Sequence, residues 1–276
     1  LNPEKYTGYG ASGTQDTAAM VWKAIYEENC FSMSPPEEQC LEERIFYRLI
    51  SGFHASTTAH ICEDFFDSST GLSAPNVDCF IWKLGMFPER INNIYFTFLF
   101  LLRAVHQAQS ELRSIDYDTG LGDAEATRAA MEAILQSQLV CDTPVFDESS
   151  LFADPATVHL KDILRGKFRN ISRIMDCVSC ETCKVHAKLQ ILGIGTSLRI
   201  LLDNSPNHRL QRNEVIAIFN TLHKLAESIE SYRAMQVREL TRRNQAVSLL
   251  YLVVGVSFSL TSLFFSAVRR TMPAKQ

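Results

Sequence analysis

A chain of 276 residues with 46% hydrophobic and 21% charged side chains can bury one large core, which excludes an intrinsically disordered protein. Its formal net charge of −4 supplies no basic field, which excludes nucleic acid and acidic lipid as electrostatic partners. The chain starts at Leu1 without methionine or a signal-peptide pattern and reads as an N-terminally truncated piece, so a missing leader carries no argument for the cytosol.

In chain order, apolar spacing predicts helix after helix. Trp22, Ile25 and Tyr26 share one face, as do Leu41, Ile45 and Leu49. Ile91, Ile94, Tyr95, Phe98 and Leu102 repeat the pattern, and Asp123 to Leu139 forms another helix behind an acidic cap. Cys183 to Leu202 is helical despite Gly193 and Gly195, which permit close approach by a neighbouring group. Val215, Ile218, Phe219, Leu222, Leu225, Ile229 and Tyr232 extend a last face over five turns. Stretches 31–39, 68–88 and 141–157, bearing proline and glycine, are expected loops. No alternating run predicts a strand, and there is neither an internal repeat nor a P-loop. Gly193-Ile194-Gly195 follows no strand and is weak as a dinucleotide fingerprint. The fold class is therefore mainly α.

The 23 residues from Ala246 to Val268 carry no charge and rise about 34 Å as a helix, enough to cross a bilayer. Arg242 and Arg243 bracket them on one side, Arg269 and Arg270 on the other. A buried core helix is the competing reading, but charge brackets near a chain end favour a membrane anchor. Arg238, Arg242 and Arg243 balance Arg269, Arg270 and Lys275, so charge does not set the orientation. The expected division is a helical domain 1–236, a basic juxtamembrane linker 237–245, a transmembrane helix 246–268 and a short tail 269–276.

Eight cysteines stand at 30, 40, 62, 79, 141, 177, 180 and 183. The first five are scattered, which suits structural bridges in an oxidising compartment; the last three form two overlapping C-x-x-C pairs, which suits redox or metal chemistry. In the first turn of a helix such a pair closes into a disulfide, and the helix N-terminus favours thiolate, with Lys184 and Lys188 as nearby cations. A ferredoxin-type cluster needs a fourth cysteine four residues after Cys183, where Ala187 stands. Zinc gains a fourth candidate ligand in His186. Yet nine helical residues rise about 13.5 Å, while tetrahedral zinc holds every ligand atom within roughly 2.3 Å, so zinc requires a non-helical segment. A thioredoxin-like setting requires a preceding strand and a βαβ unit, and none is present. No metal is expected.

The segment from Phe168 through Cys177-Val178-Ser179-Cys180-Glu181-Thr182-Cys183 to Gly193-Ile194-Gly195-Thr196 closely resembles the active-site region of endoplasmic reticulum oxidoreductins. Four further segments agree in order: Tyr6-Thr7-Gly8-Tyr9, Trp22 to Phe31, Cys40 to Ser56, and Arg90-Ile91-Asn92-Asn93-Ile94-Tyr95-Phe96 through Leu102-Arg103-Ala104. The resemblance covers about residues 2–230. It implies a single helical domain holding FAD non-covalently. Cys180 and Cys183 are then the redox pair, with Cys183 next to the flavin and Cys180 exchanging with an outer shuttle dithiol. Thr7, Trp22, Ser51, His54, Arg90 and Arg103 fall where the family contacts FAD. Taken alone, Trp22 reads as core, Ser51 and His54 as a helix end, and the arginines as surface charges. Cys30 and Cys40 fall where a structural bridge is implied; Cys62, Cys79 and Cys141 receive no partner.

Two positions depart from the pattern. Lys5 stands where an arginine is usual and cannot make a bidentate fork. The shuttle cysteines lie upstream of the matching region, which leaves Cys177 without an obvious partner. Arg90 and Arg103 are thirteen residues apart, about 220° around one straight helix, so both reach one FAD only if Arg90 lies at or before the helix start.

The resemblance implies a thiol oxidase of the endoplasmic reticulum; the membrane anchor at 246–268 lies outside the resemblance, and that function requires the domain on the lumenal side. The shuttle pair oxidises a disulfide-isomerase-type client as a disulfide and, as the resulting dithiol, reduces the Cys180–Cys183 disulfide; electrons pass through FAD to molecular oxygen, giving hydrogen peroxide. Asn170-Ile171-Ser172 is an N-glycosylation sequon of small weight. The alternatives are a membrane-anchored zinc-binding structural or adaptor protein, and a degenerate oxidase that binds FAD but turns over poorly on protein clients.

Overall fold

The computed structural model describes residues 21–22, 24–27, 39–67, 72–84, 89–117, 122–137, 150–176, 178, 181–202 and 209–271; within these, side chains are described except at 63–67, 72–74, 182–183 and 246–271. Residues 21–22 and 24–27 are helical. Then follow α1 (Leu41–Ile61), β1 (Glu63–Asp67), β2 (Leu72–Pro75), α2 (Val77–Leu84), α3 (Glu89–Gln107), α4 (Gln109–Ser114), α5 (Ala124–Gln136), α6 (Leu160–Met175), α7 (Glu181–Leu202) and α8 (Arg212–Thr271). The chain divides into two compact units, Leu1–Ser231 and Tyr232–Gln276.

The first unit is built on a ring of four helices. Gly52 of α1 lies so close to α3 that a Cβ there would stand 2.2 Å from Thr97 Oγ1 and 2.3 Å from the Asn93 carbonyl oxygen. Gly193 of α7 repeats the arrangement against α8, with 2.3 Å to Thr221 Oγ1 and 2.5 Å to the Ala217 oxygen. Both threonines turn their hydroxyls onto the carbonyl four residues back, each at 2.7 Å, and so need no other acceptor at a dry contact. The other two sides are joined by hydrogen bonds. Gln107 Nε2 of α3 donates to the Ile200 oxygen of α7 at 3.0 Å, and Ser56 Oγ of α1 meets Ser228 Oγ of α8 at 2.7 Å. Inside the ring lie Leu49, Ile50 and Phe53 of α1, Ile94, Phe100 and Leu101 of α3, Ile194 and Ile200 of α7, and Ile218 and Leu225 of α8, all buried. Each such side chain contributes about 1.5–3 kcal/mol. α6 packs outside α7, where Phe168 lies edge-on to Phe46 at 5.1 Å.

Several expectations are corrected. The 68–88 loop contains β2 and α2, and β2 pairs antiparallel with β1 through Glu63–Pro75, Asp64–Ala74 and Asp67–Leu72. A five-residue and a four-residue strand carry too little alternation to be read from sequence. Asn76 starts α2 by accepting the Cys79 N–H on its side chain at 2.9 Å. Cys62 and Cys79, which had no assigned partner, are bonded to each other, so α2 is tied covalently to the end of α1. The buried face of α3 runs through Asn93, Ile94, Thr97, Phe100, Leu101 and Ala104, while Ile91, Tyr95 and Phe98 are only half-buried. The close contact at Gly52 selects Asn93 and Thr97 for the interior, and a search for apolar periodicity passes over both. Asp123 stands at the N-cap of α5 but makes no capping hydrogen bond, and the helix stops at Gln136.

The backbone of the expected membrane span is helical through Thr271, and its side chains lie outside the described residues. Among the described residues no helix is long and apolar enough to cross a membrane.

The glycine contacts generate a contrast that urea denaturation measures. Gly52→Ala forces a methyl group against a backbone carbonyl and is expected to cost about 3 kcal/mol or more. Gly166→Ala, on α6 with nothing within 4 Å of the new Cβ, is expected to be neutral or to add up to about 1 kcal/mol through helix propensity.

Candidate active site

α7 begins at Glu181, between the two cysteines of the inner C-x-x-C pair. Cys183 is thus in the first helical turn, where unpaired backbone N–H groups favour thiolate. Cys177 and Cys180, and the Cys183 side chain, lie outside the described residues. The lysines expected to assist are occupied by carboxylates: Lys184 pairs with Glu181 at 2.7 Å, and Lys188 pairs with Asp176. Those exposed pairs offset part of their positive charge, and the N-terminus of α7 adds a favourable field at its first turn. Cys183 and His186 lie three residues apart on α7, and Cys177 and Cys180, the other two candidate zinc ligands, lie outside the described residues.

His186, one turn beyond Cys183, meets the Gln190 amide at 2.5 Å. Burial, together with the charges of His60 and Lys224, pushes its pKa down to about 4, against an opposing pull from Glu227. It is a neutral imidazole at physiological pH.

A second cluster gathers four of the expected contacts. Trp22 stacks on His54 with ring centroids 3.8 Å apart and planes 21° from parallel. Arg90 Nη1 donates to His54 Nδ1 at 3.1 Å, and the Tyr26 hydroxyl reaches the same nitrogen at 3.1 Å. A guanidinium can only donate, so Nδ1 is an acceptor and the neutral ring carries its proton on Nε2. Burial holds the His54 pKa well below the ordinary histidine range, and the charges of Arg90 and Lys83 push it the same way. Ser51, fully buried one turn before His54, accepts from Asn93 Nδ2 at 3.1 Å, while Arg48 Nε donates to Asn93 Oδ1 at 3.1 Å and lies over the Phe96 ring.

Arg90 is the second residue of α3, so it shares that helix with Arg103, thirteen residues farther on. Arg103 lies about 20 Å farther along the same helix, half-buried, and takes no part in the His54 contacts. Thr7 lies outside the described residues. Sequence reading missed Tyr26 and Asn93 as site residues. Tyr26 stood four positions after Trp22 on the same face, and Asn93 stood three after Arg90, so helical spacing held the signal for both.

Cys40, expected to bridge to Cys30, carries a free thiol; Cys30 lies outside the described residues. Burial raises the Cys40 pKa, and the adjacent Glu42 and Glu43 help retain its proton, against a lowering backbone hydrogen bond at Glu43. Asn170 is exposed, on helix α6 rather than in a loop, with the next residue Ile171 fully buried.

Residues 1–232 match the family model described as Endoplasmic Reticulum Oxidoreductin 1. Endoplasmic reticulum oxidoreductin-2 of Arabidopsis thaliana is 43% identical over 240 residues, covering 83% of this chain and 50% of that protein. Endoplasmic oxidoreductin-1 of Saccharomyces cerevisiae is 37% identical over 239 residues, covering 83% of this chain and 41% of that one. A solved structure of Ero1p, a source of disulfide bonds for oxidative protein folding in the cell, superposes with TM-score 0.68 at 33% identity, covering 86% of this chain and 64% of that one. The chain spans about half the length of the curated relatives it matches.

The two neutral histidines set a pH window. His186, whose pKa falls to about 4 on folding, lets the unfolded chain take up protons first, so its contribution is complete above about pH 6.5 and is lost as pH falls toward about 4; the depressed pKa of His54 acts in the same direction. Urea midpoints are expected to decline between pH 6.5 and 4.5, before carboxylates protonate, and His186→Gln is expected to flatten that decline.

Proposed function

Since the chain belongs to the Endoplasmic Reticulum Oxidoreductin 1 family, we propose that it is the dithiol-to-flavin portion of a thiol oxidase that makes disulfides. The observation that carries this reading is the start of α7 at Glu181, so that the C-x-x-C pair straddles a helix N-terminus. A thiolate of the shuttle dithiol attacks Cys180, the Cys180–Cys183 bond breaks, and Cys183 leaves as thiolate. The second shuttle thiolate then displaces Cys180. The shuttle becomes a disulfide by giving up two electrons, and the Cys180–Cys183 pair becomes a dithiol by accepting them. The helix N-terminus lowers the barrier by stabilising Cys183 as the leaving thiolate.

The residues present fit a flavin nucleotide. Trp22 and His54 offer aromatic faces, Arg90 a guanidinium suited to pyrophosphate oxygens, and Ser51 a buried hydroxyl. Thr7 and Arg103 complete the set that the resemblance implies. When bound, FAD supplies the two-electron acceptor for the Cys180–Cys183 dithiol and the group from which oxygen takes electrons to give hydrogen peroxide. His54, neutral and protonated on Nε2, presents one N–H donor to the ligand without adding charge. The shuttle's own oxidant role is toward a disulfide-isomerase-type client in the endoplasmic reticulum lumen, with the 246–268 segment as the membrane anchor.

Cys183→Ser is expected to retain bound FAD, read as flavin absorbance, and to lower thiol-dependent oxygen consumption at least 100-fold, roughly 2.7 kcal/mol in the barrier. Full turnover in that variant removes Cys183 from the mechanism, and a folded chain that is colourless with added FAD removes the flavin reading.

A further inference from the structure

Tyr26 is in contact with Trp22, His54 and Arg90 together. Its ring lies 6.3 Å from Trp22 and 5.7 Å from His54, centroid to centroid, and the Arg90 guanidinium sits over it at 4.8 Å. Its hydroxyl is 3.1 Å from His54 Nδ1, the atom that Arg90 also donates to. Tyr47 closes the far side at 6.1 Å. Helical backbone at 21–22 and 24–27 puts Trp22 and Tyr26 one turn apart, so both rings meet the same stretch of α1.

Those contacts constrain His54 in two ways. Stacking on Trp22 fixes the ring plane but leaves the half-turn flip about Cβ–Cγ that exchanges Nδ1 with Cδ2 and Nε2 with Cε1. Two donors converging on Nδ1 select one flip state and hold the other nitrogen, Nε2, as the donor. The Tyr26 ring meanwhile holds the guanidinium of Arg90 by cation–π attraction, at a site where Arg90 gives one nitrogen to His54.

We infer that Tyr26 is a positioning residue for flavin binding, acting through His54: its hydroxyl sets the ring orientation that aims Nε2–H at the ligand. This deepens the flavin reading above and rests on it. Tyrosine is required because phenylalanine keeps the ring under Arg90 and loses the hydroxyl.

The test compares the whole chain with Tyr26→Phe, His54→Ala and the double variant, titrating each with FAD by flavin fluorescence. Thermal midpoints are recorded without FAD, and the ring-nitrogen NMR signals of His54 are recorded in the flavin-free protein. Tyr26→Phe is expected to weaken FAD binding about three- to ten-fold, the range of one buried hydrogen bond. The His54 Nδ1 signal shifts, the flavin-free midpoint stays within about 2 °C of wild type, and the loss disappears in the His54→Ala background. Wild-type affinity in Tyr26→Phe, or an equal loss with His54 already removed, overturns the role of Tyr26 while leaving the flavin reading intact. A wild-type chain that binds no FAD sinks the flavin reading, and this inference with it.

Discussion

The approach of α1 to α3 at Gly52 is the constraint on which the candidate cofactor site depends. With no side chain at that position, the two helices close to a distance at which Asn93 reaches Ser51 and Arg48 of the facing helix. The same closeness draws the start of α3 against the middle of α1, which is how Arg90 comes to lie within hydrogen-bond distance of His54 across 36 positions of sequence. A methyl group at residue 52 would push apart, at once, the pair of helices that carry Ser51, His54 and Arg90. Gly193 does the equivalent for α7 and α8, and so sets the position of the helix whose first turn holds Cys183.

Around these contacts the interior holds a set of buried polar groups, several of them satisfied locally. Thr97 and Thr221 satisfy their hydroxyls on their own helices. Ser56 and Ser228 satisfy each other, and Glu42 accepts the backbone N–H of Phe152 at 2.6 Å, which helps hold that residue in a left-handed conformation at φ 55°. The histidines are kept neutral by burial and by cations near them, so the site gains hydrogen-bonding capacity without the cost of buried positive charge.

The dithiol end relies on a different device. Lys184 and Lys188 are paired with Glu181 and Asp176, while the oriented peptide dipoles of α7 act at its first turn independently of those side chains. Backbone dipoles need no rotamer to be ordered, which suits the redox role proposed for Cys183.

Helix periodicity, the C-x-x-C spacing and five collinear segments were readable along the chain, because each is a pattern carried by neighbouring residues. They placed α1, α3, α7 and α8, put Cys183 in a first turn, and marked Trp22, Ser51, His54 and Arg90. Folding alone settled the bridge between Cys62 and Cys79, the free thiol at Cys40, the two strands, the rotation of α3 toward Asn93 and Thr97, and the proton position on His54. Each of these is fixed by groups that meet only when separate helices pack, over separations as long as the 172 residues between Ser56 and Ser228. A local repeat records which face of a helix is apolar, but not which atom of another helix will stand against it.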